Sequence, residues 1–321
     1  MARDEGRDGA GARAGAVATA QGVAAVRTIV PLPGPLDVAA SAEMFRRNGD
    51  DGIDRWDGTR LVRTLRLADG CIVAYACEPA GTLAAPALVV SVEDARDLSL
   101  VAEAARATFF PAPPTYPTLL AADPVIASLE ARFAGLRQVR QHDLFTALVR
   151  CISAQQVNLR WAATTRRRLA ETFGTRHEAA DTFVYSLDVE RLAATPVEAI
   201  RALQFTTRKA EYLIAAARAI VEGKLALAEL EMLEDEAVIA RITGLRGLGR
   251  WTAEWVLART LGRPRVVAGD LAVRKAVGIA YLGEPLPAED AVRRATAHWG
   301  ESAGVAQALL LAGFGAGTLG T

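Results

Sequence analysis

At 321 residues the chain exceeds one ordinary domain of about 100–200 residues, so its length predicts two. With 51% apolar and 23% charged residues it is too hydrophobic for overall disorder, and a soluble fold without a membrane span is expected. Its 37 basic and 37 acidic residues exclude a globally basic nucleic-acid binder but not a local one. Cys71, Cys77 and Cys151 suit neither a disulfide framework nor a four-cysteine metal site, so a cytoplasmic location is expected, with no membrane partner.

Residues 1–25 are rich in Ala, Gly and Arg without apolar periodicity and predict a flexible tail, while Asp4, Glu5 and Asp8 argue against a signal or transit peptide. Residues 26–112 predict a small α+β domain with an antiparallel sheet. Segments 61–67 and 71–77 read as strands joined at Ala68-Asp69-Gly70, because an Asp-Gly pair readily takes the positive φ of a tight hairpin. Segment 87–92 offers a third strand, and Ala39, Met44 and Phe45 mark a short helix between Pro35 and Asn48. Pro111, Pro113, Pro114 and Pro117 break helix and strand alike and mark a junction. Beyond it, residues 113–321 read as all-α, with apolar helical faces at Leu144/Leu148/Ile152, Ala210/Leu213/Ala217 and Val256/Leu257/Leu261.

Charge sorts unevenly along this plan. Residues 131–176 carry nine arginines against Asp143 and Glu171, and 246–275 carry six arginines and Lys275 against Glu254 and Asp270. Each cluster alone reads equally well as solvated surface, but two in one helical domain point to a polyanion.

Segment 242–255, ITGLRGLGRWTAEW, is the most informative. An apolar stripe ends at Leu245-Arg246-Gly247-Leu248-Gly249 and a second helix begins near Arg250, so two helices flank a tight turn. Gly247 and Gly249 permit positive φ and close approach, and the N–H groups opening the second helix favour a phosphate. By itself Gly-Leu-Gly also fits an ordinary glycine cap. Asp270, 21 residues past Gly249, reads as the N-cap of a further helix and as a fixed carboxylate able to stabilise cationic charge or orient a water. Trp251 and Trp255 share one helix face, either as packing or as a pocket wall.

Together, LRGLGRWTA at 245–253 and GDLAVRK at 269–275 resemble the helix-hairpin-helix DNA glycosylases, most nearly the bacterial 3-methyladenine-DNA glycosylase II type. Asp123-Pro124 and the Gln155-Gln156 stretch lie in family order. The resemblance implies an α+β domain followed by an all-α glycosylase domain. It implies a monomer acting on double-stranded DNA that flips and excises alkylated purines of the 3-methyladenine and 7-methylguanine kind. Asp270 is then catalytic, and Trp251 and Trp255 form the base pocket. Gln156, Leu245, Gly247, Leu248, Gly249, Arg250 and Thr252 contact DNA, with Gln156 filling the gap left by the flipped base. No organic cofactor is implied. The carbonyls of Thr243, Leu245 and Leu248 resemble those that hold Na⁺ or K⁺ against a phosphate.

Lyase-competent relatives carry a lysine nucleophile where this chain has Trp251, and Lys209, Lys224 and Lys275 are its only lysines, so hydrolysis without strand cleavage is expected. His142, His177 and His298 are too scattered for a local metal motif and read as structural or surface residues. Two alternatives stay open: a glycosylase for oxidised or deaminated bases, and a non-catalytic helix-hairpin-helix DNA-binding protein.

Overall fold

The structure, a computed structural model, describes residues 25–319, so the tail expected at 1–25 falls almost wholly outside the described residues. Five strands form one antiparallel sheet: β1 (Val26–Pro31), β2 (Arg55–Trp56), β3 (Leu61–Arg66), β4 (Ile72–Gly81) and β5 (Pro86–Val92). Their spatial order is β1-β5-β4-β3-β2. The β3–β4 turn forms at Asp69-Gly70, where Gly70 has φ +88°. Leu61, Tyr75, Cys77, Leu88 and Val90 alternate onto one face and pack with Phe45, Val101 and Ala105 from helices α1 (Val38–Ala42, with a 3₁₀ extension Glu43–Phe45) and α2 (Leu98–Arg106). Strand β1 was not anticipated from the sequence.

The helical region contains α3 (Tyr116–Ala122), α4 (Pro124–Arg132), α5 (Leu144–Ala154) and α6 (Leu159–Phe173). After it come strands β6 (Gly174–Ala179) and β7 (Thr182–Leu187), then α7 (Val189–Ala194), α8 (Val197–Arg201), α9 (Thr207–Val221), α10 (Leu227–Met232) and α11 (Asp235–Thr243). The series ends with α12 (Arg250–Arg259), α13 (Leu271–Val277), α14 (Glu289–Ala295) and α15 (Ala303–Gly315). The all-α expectation therefore needs correction: β6 and β7 form a hairpin whose turn residues Ala180 and Asp181 have φ +49° and +60°. Those angles suit a two-residue hairpin turn, but Ala-Asp lacks the glycine that would have announced one. Val184 of this hairpin packs on Val62 and Ala76, on the sheet face opposite the α2 core.

Two hydrophobic cores divide the helices. One joins α5, α6, α9, α11 and α12 through Leu148, Ile152, Leu213, Ile242, Val256 and Leu257. The other joins α3, α4, α13 and α15 through Leu119, Ile126, Val273, Val277, Trp299 and Leu309. The sheet region is locked to the first by buried charges. Arg150 reaches Asp51 and Asp54, each at 2.7 Å, while Arg63 reaches Asp54 at 2.6 Å and Arg166 reaches Asp51 at 2.8 Å. Burial alone would raise the Asp54 carboxyl, but Arg63 and Arg150 hold it down at about 2. The expectation that the 131–176 arginines serve a polyanion is corrected to this extent: Arg137, Arg150 and Arg166 are spent inside the protein. Among the described residues no helix is long and apolar enough to cross a membrane.

Candidate active site

Helices α11 and α12 meet in the turn 244–249. Gly247 has φ +88°, and a Cβ there would lie 2.2 Å from the Tyr212 ring, so both backbone conformation and space demand glycine. Gly249 departs from the expectation of positive φ. It is extended (φ −98°, ψ −179°), and a Cβ on it would meet nothing within 4 Å. It caps α12 without a side chain, so no side-chain oxygen takes the first-turn N–H groups of that helix. An anion would find donors and the positive end of the dipole there.

Several side chains expected at a DNA contact face elsewhere. Leu248 is buried in the first helical core, and Leu245 packs against it. Thr252 is only 1% exposed, and its hydroxyl has no hydrogen-bond partner. Arg250 is engaged by Glu236 and Glu254, each at 3.1 Å. Glu254 is itself fully buried and also receives Arg293 at 2.5 Å. What the turn presents outward is thus main chain at Gly247 and Gly249, together with the Arg246 side chain, 76% exposed and 3.5 Å from Glu211, and the Arg250 side chain, 43% exposed. The Leu245 carbonyl, one of three expected around a cation, accepts the Leu248 N–H at 3.1 Å.

Asp270 sits where the two helical cores meet. It is the N-cap of α13, and its Oδ1 accepts the N–H groups of Ala272 (2.9 Å) and Val273 (3.1 Å). This leaves Oδ2, which among the described residues receives only the Trp251 indole N–H at 3.3 Å. The carboxylate is half-buried, as are Trp251 and Trp255. The structure thus joins Asp270 to Trp251 directly, with Trp255 one turn further along α12 on the same face. Burial, with Asp270 nearby, pushes the Cys151 thiol up, so this cysteine is an inert wall rather than a nucleophile.

The glutamine turn joins the hairpin from the other side. Gln155 donates from Nε2 to the Gly247 carbonyl at 2.9 Å, a role that the sequence reading did not assign. Gln156 projects from the turn in the left-handed region (φ +54°) and is exposed, followed by the exposed apolar residues Val157, Leu159 and Trp161. The end of α5 is held in place because Arg166 donates to Ser153 Oγ at 3.0 Å and Lys209 to the Ser153 carbonyl at 2.8 Å. A recess of about 610 Å³ lies elsewhere, between the sheet region and α4, lined by residues such as Leu36, Leu83 and Phe133.

A capless hairpin beside a carboxylate with a spare oxygen defines a class before it defines a protein. Residues 149–302 match the HhH-GPD superfamily of base excision DNA repair proteins, so this segment of the chain is a helix-hairpin-helix domain of that superfamily. Within it, the chain is similar to YfjP of Bacillus subtilis (33% identity over 176 residues, 54% of this chain and 60% of the relative). It is also similar to the B. subtilis protein named DNA-3-methyladenine glycosylase (28% over 183 residues, 56% and 60%). The chain thus spans 60% of the length of each of these relatives. Its fold is shared with the 3-methyladenine DNA-glycosylase of Archaeoglobus fulgidus: TM-score 0.77 at 23% identity, covering 89% of this chain and 98% of that one.

Proposed function

We propose that this protein is a monofunctional DNA N-glycosylase that everts and hydrolytically excises alkylated purines from double-stranded DNA. The observation that carries the reading is the Asp270 carboxylate, with Oδ1 consumed by its own helix and Oδ2 held only by Trp251, next to a hairpin whose amides lack a cap. The hairpin backbone grips a phosphate whatever the sequence, which leaves the chemistry to the pocket. A base inside the stack hides its glycosidic bond, so it must leave the helix, and Gln156, exposed on its left-handed turn, would enter the gap. Asp270 then faces the deoxyribose as positive charge develops at C1′, stabilising it and orienting the water that adds there. Trp251 and Trp255 offer aromatic faces, which attract a purine made cationic by alkylation.

No amine stands on α12 to form a Schiff base, and Lys209 is engaged by Ser153. Simple hydrolysis to an abasic site, without strand cleavage, follows. A Na⁺ or K⁺ would be held by the Thr243, Leu245 and Leu248 carbonyls and would neutralise the adjoining phosphate.

Chromatography of the bases released from methylated duplex DNA tests the reading. Free 3-methyladenine or 7-methylguanine, with an intact abasic strand, is the expected product. Tight binding to abasic-site DNA without release of any base would identify a non-catalytic binding protein instead.

A further inference from the structure

Gln156 holds φ +54°, in the left-handed region, where a residue with a Cβ is uncommon and persists only if the surrounding structure over-determines it. The turn 155–158 that carries it joins α5 to α6, and a line of buried polar contacts runs from the sheet region to its base. Asp51, in the loop before β2, is 2% exposed, and its Oδ2 receives Arg150 of α5 at 2.7 Å and Arg166 of α6 at 2.8 Å. Arg166 turns a second nitrogen to Ser153 Oγ at 3.0 Å, and that hydroxyl donates in turn to the Arg150 carbonyl at 3.0 Å. Lys209 of α9 donates to the Ser153 carbonyl at 2.8 Å, and two residues on, Gln155 donates to the Gly247 carbonyl at 2.9 Å. One carboxylate from the sheet region thus ties together both helices that flank the turn, while the hairpin holds the turn itself. Burial alone would raise the Asp51 carboxyl, but Arg150 and Arg166 hold it below its ordinary value, so it stays ionised at neutral pH.

We propose that Asp51, acting through Arg166 and Ser153, is a positioning residue that keeps Gln156 presented for insertion, so that the sheet region contributes to base eversion. The proposal rests on the glycosylase reading and deepens it. Asp54, three residues along the same loop, gives its two oxygens to Arg63 at 2.6 Å and Arg150 at 2.7 Å, which tethers the sheet region to α5. Asp51 reaches α6 as well and, by way of Ser153, the last turn of α5 before Gln155. A turn with several competing shapes spends only a fraction of its time in the inserting one, and productive encounter slows by that fraction. Asparagine at position 51 keeps the shape but removes the charge, and it leaves Arg166 without a carboxylate while Arg150 keeps Asp54. The loss this causes has a ceiling, because misplacing Gln156 cannot cost more than deleting its side chain.

The test is a double-mutant cycle on single-turnover base release from methylated duplex DNA, with wild type, Asp51→Asn, Gln156→Ala and the double variant. Asp51→Asn should be slower by about 10-fold and Gln156→Ala by at least as much, with the double variant within about 2-fold of Gln156→Ala, because the placement of an absent side chain no longer matters. A general weakening of the fold would instead slow release by the same factor in both backgrounds. That multiplicative result, or an Asp51→Asn or Gln156→Ala enzyme within about 2-fold of wild type, overturns the proposal while leaving the glycosylase reading standing. A wild type that releases no base overturns both. If Asp51→Asn does not fold, Ser153→Ala, which removes one hydroxyl and cuts the same line, takes its place in the cycle under the same criteria.

Discussion

Asp123 and Asp270 use the same local geometry to opposite ends. Each is the N-cap of a short helix, and each gives Oδ1 to two backbone N–H groups: Val125 and Ile126 at 3.0 and 3.1 Å, Ala272 and Val273 at 2.9 and 3.1 Å. The second oxygen separates them. Asp123 is 3% exposed, and its Oδ2 receives the Tyr281 hydroxyl at 2.7 Å, His298 at 2.8 Å and the Trp299 indole at 3.3 Å. At Asp270 only one long indole bond reaches Oδ2, and the side chain is half-buried. A cap whose remaining lone pairs are all consumed holds a fold together, whereas one with an accessible oxygen can act on something else.

The sharpest way to break the comparison is to remove charge from each cap while keeping its shape. Asp270→Asn keeps a good N-cap, so its unfolding midpoint should stay near wild type while base release falls by at least about 10²–10³-fold in single-turnover assays. Undiminished turnover in that variant would remove the proposed mechanism.

Asp123→Asn should show the reverse, losing about 2–4 kcal/mol in denaturant titration because an amide replaces a buried carboxylate among three donors. Burial alone would raise the Asp123 carboxyl, but His298, Tyr281 and the helix amides hold it below its ordinary value. Its contribution is therefore fully present above the unfolded value of about 3.9 and is lost as pH falls below it. Wild type should lose that increment on acidification, and Asp123→Asn should not; parallel pH profiles of stability would count against the assignment.

The hairpin supplies a smaller pair. Gly247→Ala should cost about 1–3 kcal/mol through the Tyr212 overlap and the positive φ, whereas Gly249→Ala, with open space around it, should change stability by no more than about 1 kcal/mol. Equal losses at the two glycines, read by thermal melts, would contradict the geometry. The smallest expected effect is that of Gln155→Ala, about 0.5–1.5 kcal/mol from the lost bond to the Gly247 carbonyl, measured by denaturant titration.

Local rules written in the chain determined a good part of this. Asp69-Gly70 specifies a hairpin, Gly247 specifies a left-handed turn, and Gly269-Asp270 before Leu271 specifies a helix start. Each depends only on what neighbouring backbone can do, so the sequence alone sufficed. The Ala180-Asp181 turn carried no such mark and was missed, because packing of Val184 on Val62 and Ala76 supports a hairpin that local preference does not announce.

Tertiary structure decided which charged and polar groups remain available. Arg150 and Arg166 look alike in sequence to Arg259, yet both are consumed by carboxylates brought from distant segments and, among the described residues, Arg259 is not. Likewise, the local cap motif is common to Asp123 and Asp270, and only residues 281, 298 and 299, folded back over the first, close its second oxygen. Hydrogen-bond capacity is a local property of a side chain, but whether it is spent depends on long-range packing.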